Sequence, residues 1–369
     1  MLSPVTWLLF EGDIRGYTYC VGLGTIGFMM PTTVPSLALL CLLLSLCPSA
    51  LAEEGDELYF DDAQREHSAV YPDWFKLSFL HLNEDLQEAV VEGKRGLVVY
   101  FGQEYCPYCE ALLEKNFGRA DIARYTRSHF DVVPIDIHGG KEVTDLEGRS
   151  LSEAEYAARE RVNFTPTLIF YDAKGNETLR LQGYYPPYKF LAALEFVADG
   201  HYLQEGFSDY LQRANPPLAF EPDGLNAEEF FIPPPHALER SRIRAQRPLV
   251  VFFEQGDCHA CDVLHTSPLQ NRELRSLLGE LEAVQLDINS DAPVITPRGR
   301  RTSSREWARE LGLFYAPTLV FFDRQGDEIL RVDSVAGFYR LRKVLEYVID
   351  GAYREGMTLP QFRRAAEGE

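Results

Sequence analysis

Residues 96–109, Gly-Leu-Val-Val-Tyr-Phe-Gly-Gln-Glu-Tyr-Cys-Pro-Tyr-Cys, run from an apolar segment directly into two cysteines. The apolar part, 96–101, predicts a buried strand, and the segment from Glu110 to Phe117 predicts a helix. Cys106 and Cys109 therefore stand where a strand turns into a helix. A Cys-x-x-Cys pair at such a junction is typical of a redox-active dithiol.

The same pattern occurs a second time. The apolar run 248–253 leads into Cys258-His259-Ala260-Cys261, and Thr165-Pro166 and Ala316-Pro317 each precede another apolar run. The first cysteines lie 152 positions apart (258 − 106) and the prolines 151 apart (317 − 166). Two motifs that recur at almost the same spacing predict a tandem duplication. Strands alternate with helices in each copy, so each is expected to be an α/β unit with a mixed central sheet flanked by helices.

The composition excludes several classes of protein. The chain has 369 residues, 46% of them hydrophobic, which is enough for two globular domains and argues against disorder. Its formal net charge is −20, with a pI near 4.9. Such an acidic surface disfavours nucleic acids and anionic membranes as partners.

The N-terminal region predicts export. Residues 36–46 are apolar but short for a membrane span, and an Ala-x-Ala pattern ends at Ala52, so 1–52 is predicted to be a signal peptide. An alternative is an uncleaved anchor helix over 17–51. Residues 1–28 could be a start-site artefact, with translation from Met29 or Met30. A lipoprotein site at Cys47 is disfavoured because Leu46 precedes it.

Cleavage after Ala52 would leave four of the seven cysteines, all in the two Cys-x-x-Cys pairs, which indicates disulfide chemistry outside the cytosol.

We predict an acidic leader over 53–72, a first domain over 73–213, a Pro-rich linker over 214–235 and a second domain over 236–369. Predicted helices include 83–91, with Asn83 as N-cap, 106–129, with a break near Gly118, and 152–161, with a capping box of Ser152 and Glu155. Another is predicted near His236–Arg244.

The expected chemistry follows from the helix N-termini. Unpaired N–H groups and the helix dipole favour a thiolate at Cys106 and Cys258, which makes them the nucleophiles. Cys109 and Cys261 would then resolve the mixed disulfide. Pro107, Tyr108 and His259 lie between the cysteines, where they are expected to tune the thiolates and contact substrate.

The two X-Pro bonds complete the candidate sites. Pro166 and Pro317 are predicted to be cis, as in a tight turn before a buried strand. The backbone of Thr165 and Ala316 would then face the cysteines and bind an extended substrate chain by strand-like hydrogen bonds. Thr165 is also placed to hydrogen-bond a nearby sulfur.

These motifs resemble a tandem of thioredoxin-fold domains of the bacterial periplasmic kind, and most nearly the SoxW-like thioredoxins. The resemblance covers about 75–200 and, more loosely, about 240–350. The residues that carry the resemblance in the first copy are Phe101 to Cys109, Asp136-Ile137, Gly148, Thr165-Pro166-Thr167 and Phe170.

The resemblance implies two thioredoxin-like domains that reduce protein disulfides in the periplasm. A membrane or periplasmic electron donor would supply the electrons, and no cofactor or metal is expected. Two departures from ordinary thioredoxins stand out. Tyr105 and Asp257 replace the tryptophan before the first cysteine, and Tyr100 and Phe252 replace the buried carboxylate of the preceding strand. The general base for the second cysteine is therefore open.

Two other functions remain as alternatives. The cysteine pairs could bind or deliver a metal, with His259 and His265 as additional ligands around the second pair. The chain could also be a non-catalytic thioredoxin-fold scaffold that binds other proteins. Haem attachment is excluded because Glu110 and Asp262 stand where a histidine would be required.

Overall fold

The computed structural model describes residues 61–214 and 224–367. The predicted signal peptide, residues 53–60 of the predicted leader and residues 215–223 of the predicted linker lie outside these residues. None of the helices within 61–214 and 224–367 combines the length and apolarity needed to cross a bilayer.

The first domain is built on a four-stranded sheet of order β2-β1-β5-β6, in which β1 and β2 are parallel and the other pairs antiparallel. Buried apolar residues cover both faces of this sheet. Its helices and strands are α1 (Leu82–Val91), β1 (Gly96–Gly102), α2 (Pro107–Ala111), α3 (Ala120–His129), β2 (Phe130–Asp136), β3 (Glu142–Thr144), β4 (Ser150–Ser152), α4 (Glu153–Arg159), β5 (Thr167–Asp172), β6 (Glu177–Gln182), α5 (Pro187–Ala198) and α6 (Phe207–Ala214).

The second domain repeats this sheet as β9-β8-β12-β13, with the same parallel and antiparallel pairs. Its elements are β7 (His236–Ala237), β8 (Leu249–Glu254), α7 (His259–Thr266), α8 (Arg272–Leu278), β9 (Glu282–Asp287), β10 (Pro293–Ile295), β11 (Arg301–Ser303), α9 (Ser304–Glu310), β12 (Thr318–Phe322), β13 (Glu328–Val332), α10 (Phe338–Asp350) and α11 (Leu359–Glu367). The predicted fold class, two tandem α/β units with mixed sheets flanked by helices, is confirmed.

Local sequence patterns predicted some helix boundaries correctly and others incorrectly. The predicted capping box is present, since the Glu155 amide donates to Ser152 Oγ and the Ser152 amide donates to the Glu155 carboxylate. The predicted helix 106–129 is interrupted, as expected, between a π-helical turn at Leu112–Asn116 and α3. Asn83 is not the N-cap of α1, because that helix begins one residue earlier, after His81.

The predicted helix near His236–Arg244 was wrong. Residues 236–237 form β7, which pairs in parallel with β10, and the amides of Leu238 and Arg240 continue the contact by donating to the carbonyls of Ile295 and Pro297. The bond between Pro234 and Pro235, just before this segment, is cis. Long-range strand pairing therefore overrides the local helical pattern.

The described part of the predicted linker packs on the second domain. Phe230 and Phe231 lie against its core, and the Ile232 amide donates to the Ala283 carbonyl at 2.8 Å. Glu228 accepts a hydrogen bond from Arg275 at 2.5 Å. Residues 228–232 are thus an ordered part of the second domain's surface.

The two domains form one compact unit and meet through equivalent segments, 182–190 and 333–341. The Val335 amide donates to the carbonyl of Tyr184, its counterpart in the repeat, at 3.2 Å. Gly183 lies against its own counterpart, Ser334, so closely that a Cβ at residue 183 would be 2.0 Å from the serine Oγ. A duplicated chain here makes the kind of contact that a two-fold dimer makes between identical surfaces.

A partly buried carboxyl group, that of Asp333, lies in this interdomain contact. Tyr185 donates to Asp333 at 3.2 Å, and burial raises the pKa of Asp333 from 3.8 to about 6. The folded protein therefore holds the Asp333 proton more tightly than the unfolded chain does. The stability that comes from this proton is present below about pH 4 and is lost as the pH rises through about 6.

We predict that Asp333→Asn removes this part of the pH dependence. From pH 4 to pH 7, wild-type protein should lose on the order of 2 to 3 kcal/mol of unfolding free energy relative to Asp333→Asn. Urea unfolding of both proteins at each pH measures the difference. An equal pH dependence in the two proteins would contradict this account of Asp333.

Candidate active site

The first cysteine pair lies at the N-terminus of α2, between β1 and the helix. Cys106 and Cys109 form a disulfide, with their Cα atoms 5.2 Å apart. Cys106 occupies the N-cap position, and the Cys109 amide donates to its Sγ at 3.0 Å. A helix N-terminus with an amide aimed at the sulfur stabilises a thiolate once the disulfide is reduced.

The cis-proline loop lies directly opposite this sulfur. The bond between Thr165 and Pro166 is cis, as predicted. The Thr165 hydroxyl lies 3.3 Å from Cys106 Sγ, and its carbonyl oxygen lies 3.7 Å away. The structure thus brings the predicted nucleophile and the predicted substrate-binding residue into contact.

The second site repeats this geometry. Cys258 and Cys261 form a disulfide at the N-terminus of α7, and the Cys261 amide donates to Cys258 Sγ at 3.1 Å. The bond between Ala316 and Pro317 is cis, and the Ala316 carbonyl oxygen lies 3.6 Å from the Cys258 sulfur. Alanine offers no hydroxyl, so this sulfur lacks the side-chain contact that Thr165 gives Cys106.

The residue before each pair has an unusual backbone. Tyr105 has a φ of 55° and Asp257 a φ of 49°, in the left-handed region that residues other than glycine seldom adopt. These are the two positions where the predicted family pattern has tryptophan. Strain at the same place in both domains accompanies the sharp turn that sets each first cysteine at its helix start.

Of the residues predicted to tune the pairs, Pro107 and Tyr108 lie at the first site and His259 at the second. Pro107 is the first residue of α2, and both it and Tyr108 line the cleft beside Cys106. The Tyr108 hydroxyl is engaged inside the protein, since it donates to Asp62 at 2.8 Å and accepts from the Gly337 amide at 2.7 Å. His259 is exposed at the start of α7.

An arginine from the second domain reaches the first site, which the sequence did not predict. Arg340, on α10, donates from Nη2 to the Thr165 carbonyl at 2.8 Å. Its guanidinium carbon lies 3.4 Å from the centre of the Tyr108 ring and 5.2 Å from that of Phe164. The carbonyl that was predicted to bind a substrate chain therefore already has a donor.

The counterpart of Arg340 in the repeat is Lys189, which makes the reciprocal contact. Its Nζ donates to the Phe314 carbonyl at 3.2 Å and lies 4.5 Å from the centre of the Tyr315 ring. Burial lowers the pKa of Lys189 to about 8. Each domain thus places a cation over the aromatic residue that precedes the cis-proline turn of the other, but the lysine does not contact Ala316.

Residues from the predicted leader also cover the first site. Asp62 accepts hydrogen bonds from the amides of Tyr339, at 3.2 Å, and Arg340, at 3.0 Å, so its carboxylate caps the N-terminus of α10. Gly337 makes this possible, because a Cβ there would lie 2.4 to 2.7 Å from the Asp62 carboxylate atoms. The Arg65 amide donates to the Tyr105 carbonyl at 3.2 Å.

A buried carboxylate that the sequence analysis missed lies in the second domain. Tyr100 and Phe252, which replace the expected carboxylate, are fully buried, but Glu254 follows on β8 and is also fully buried. His265 bonds to Glu254 at 2.9 Å and to Glu228 at 3.2 Å. Burial opposes a charge on His265, but these hydrogen bonds outweigh it and raise its pKa.

The hydrogen bonds of His265 concern the hypothesis that the second cysteine pair and its neighbouring histidines bind a metal. Both ring nitrogens of His265 are bonded to carboxylates, and each cysteine is bonded to the other member of its pair. Among residues 61–214 and 224–367, no three or more His, Cys, Asp or Glu side chains are grouped so that they could hold a metal ion.

We predict that Asp62→Ala weakens the contact between the leader and the second domain. Losing a carboxylate cap costs about 1 to 2 kcal/mol, so the amides of Tyr339 and Arg340 should exchange with solvent about tenfold faster. Hydrogen exchange resolved by residue measures this. Asp61→Ala is the matched control, since that side chain is 72% exposed and contacts neither amide. Unchanged exchange in Asp62→Ala would contradict the capping role.

Comparison with known proteins identifies one matching family and several similar structures. A family profile for the thioredoxin-like domain matches residues 82–198 and 234–349. A thioredoxin-fold protein from Helicobacter pylori is 28% identical over 38% of this chain and 87% of its own, with a TM-score of 0.31. A Thermus thermophilus thioredoxin is 30% identical over 32% and 83%, with a TM-score of 0.26.

The oxidoreductase DsbH is 16% identical over 38% of this chain and 95% of its own, with a TM-score of 0.26. No curated protein sequence matches this chain significantly. The two profile matches together cover well over half of the chain, and each includes one Cys-x-x-Cys pair and the cis-proline loop that faces it, at Pro166 or Pro317. The chain therefore belongs to the thioredoxin-like domain family and carries two such domains in tandem.

Proposed function

We propose that this protein is an exported thiol-disulfide oxidoreductase that reduces protein disulfides. The observation that carries the proposal is the repeated geometry of a helix-capping cysteine, its disulfide partner three residues on, and a cis-proline loop within 4 Å of the sulfur. Export rests on the predicted signal peptide. A SoxW-like role in the bacterial periplasm, with a membrane or periplasmic electron donor, rests on the sequence resemblance.

The reaction is two successive thiol-disulfide exchanges. In the reduced protein, the thiolate of Cys106 or Cys258 attacks one substrate sulfur, which forms a mixed disulfide and releases the other substrate sulfur as a thiolate. Cys109 or Cys261 then attacks the protein sulfur of this mixed disulfide and releases the second substrate thiolate. The protein ends as the intramolecular disulfide, and its two electrons have passed to the substrate.

The second site suits a protein chain better than the first. An extended substrate chain would hydrogen-bond to the backbone before the cis-proline, as an added strand does. The carbonyl of Thr165 accepts from Arg340, whereas the Ala316 carbonyl contacts Cys258 and Lys189 bonds two residues upstream, at Phe314. Ala316 is also partly exposed, and Thr165 is buried. We therefore assign protein disulfides to the Cys258–Cys261 pair.

We predict that the two pairs contribute unequally to insulin reduction with dithiothreitol as electron donor. Cys258→Ser/Cys261→Ser in residues 53–369 should lower the rate at least tenfold, while Cys106→Ser/Cys109→Ser should keep more than half of it. The variant with all four serines gives the background. Equal losses in both variants would contradict the assignment of protein substrates to the second site, and a wild-type rate at background would contradict the proposed function itself.

The reduction potential tests the direction of the reaction. For a reductase, we expect the pair that reduces insulin to have a potential near or below about −250 mV, whereas a value above about −180 mV is typical of an oxidase or isomerase. Each pair is measured in the variant that lacks the other, equilibrated in thiol-disulfide buffers and followed by thiol alkylation. If neither pair forms a reversible disulfide and zinc or copper co-purifies, the metal-binding alternative replaces the redox proposal.

A further inference from the structure

We propose that the first site takes small disulfides that carry carboxylates, and that a basic wall supplied by the second domain selects them. The proposal rests on the exchange chemistry assigned to Cys106 above. It differs from the assignment of protein substrates because it concerns the other pair and another class of substrate.

A cleft of about 630 Å³ lies between the two domains at Cys106. The first-domain wall includes Cys106, Thr165 and Glu104, and the opposite wall comes from α10 and α11 of the second domain. Sites for small molecules in proteins usually have volumes of about 300 to 1,000 Å³. The cleft is thus large enough for a disulfide of amino-acid or short-peptide size.

The charges of the cleft are divided between its walls. The first-domain side, with the leader, carries three carboxylates, and the second-domain side carries five cations. The carboxylates are Asp62, Glu104 and Asp136, and the cations are Arg340, Arg342, Lys343, Arg363 and Arg364.

Three of these cations, Arg340, Arg363 and Arg364, have no carboxylate partner within the described residues. Arg342 and Lys343 pair with Glu346, and Arg340 donates to carbonyl oxygens and stacks on Tyr108. Within the described residues, neither Arg363 nor Arg364 forms an ion pair, and the Nε of Arg363 is buried without a hydrogen-bond partner. Guanidinium groups bind carboxylates by paired, charge-assisted hydrogen bonds, so a carboxylate ligand would complete this wall.

The same cleft is poorly suited to a polypeptide. Cys106 is only 3% exposed, and Arg340 occupies the Thr165 carbonyl on which an added strand would depend. Asp62, Ala63 and Gln64 close one side. A small disulfide needs no strand pairing and is held by its charged ends. Glu104 and Asp136 would face an ammonium group, so disulfides of amino acids or short peptides with net negative charge fit best.

The reaction would follow the exchange described above. The Cys106 thiolate bonds to one sulfur of the small disulfide, and the other sulfur leaves as a carboxylate-bearing thiolate. Cys109 displaces the second thiolate and forms the Cys106–Cys109 disulfide. The two electrons come from the reduced pair itself, so a single turnover needs no further reductant.

The test is single-turnover reduction by Cys258→Ser/Cys261→Ser protein, reduced beforehand and freed of reductant. The probes are glutathione disulfide, which is anionic, bis(2-hydroxyethyl) disulfide, which is neutral, and cystamine, which is cationic. Each rate is divided by the rate of the same probe with dithiothreitol, which corrects for intrinsic reactivity. We expect the corrected rate for glutathione disulfide to exceed that for cystamine at least tenfold, and 1 M NaCl to reduce this preference.

Arg363→Ala/Arg364→Ala should lower the ratio of the glutathione disulfide rate to the bis(2-hydroxyethyl) disulfide rate about tenfold. Arg363→Lys/Arg364→Lys should recover part of it, since the charge is kept but the paired hydrogen bonds are lost. Arg124→Ala/Arg127→Ala changes the net charge equally on exposed residues of α3 and should leave the ratio unchanged.

The outcomes separate this inference from the proposed function. Equal corrected rates for the three probes, or a ratio that Arg363→Ala/Arg364→Ala does not change, would overturn the basic-wall proposal while leaving thiol-disulfide exchange intact. Insulin reduction by the first pair at the rate of glutathione disulfide would also overturn it, in favour of a protein substrate. Reduction of none of the probes by a first pair shown to be reduced would overturn the basic-wall proposal and the exchange chemistry assigned to Cys106, whereas the proposed function is tested separately by insulin reduction at the Cys258–Cys261 pair.

Discussion

The interdomain contact depends on a partly buried guanidinium. Arg340 lies between the two domains, where its charge would cost several kcal/mol if it had no partners. It is accommodated by the Thr165 carbonyl, the face of the Tyr108 ring and the backbone of its own domain. All but the last belong to the first domain, and Asp62 holds the helix that carries the arginine. Separating the domains would remove these partners at once, so the guanidinium favours the docked arrangement of the two domains.

The two domains differ in the contact that each makes with the other's cis-proline loop. Arg340 and Lys189 occupy equivalent positions, and each reaches across to the other domain, but only the arginine donates to the residue before a cis-proline. Its planar, permanently charged group can bond a carbonyl and stack on an aromatic ring together. Lys189, whose burial lowers its pKa to about 8, loses part of its charge in mildly alkaline solution. One site is thereby enclosed and cationic, while its copy is more accessible.

The sequence predicted the features that local chemistry decides. The two cysteine pairs, the cis bonds before Pro166 and Pro317, the repeat and the capping box at Ser152 follow from short patterns. The helix expected near His236–Arg244 was wrong because pairing with β10, almost 60 residues away in the chain, decides that segment. Glu254 was not predicted because the family pattern places the buried carboxylate two residues earlier, at the position of Phe252. Arg340 could have been noticed as the repeat counterpart of Lys189, but no pattern shows which carbonyl it meets. Export and the start site concern residues outside the described ones and stay predictions.

Thiol alkylation of the reduced protein measures whether the second domain encloses the first site. Iodoacetamide rates for Cys106 and Cys258 are measured by mass spectrometry up to the pH at which each reaches its plateau, so that differences in thiolate fraction do not contribute. The account predicts a lower plateau rate for Cys106, and a rise of at least fivefold at Cys106 but not at Cys258 in Arg340→Ala. Equal plateau rates in wild-type protein, unaltered by Arg340→Ala, would contradict it.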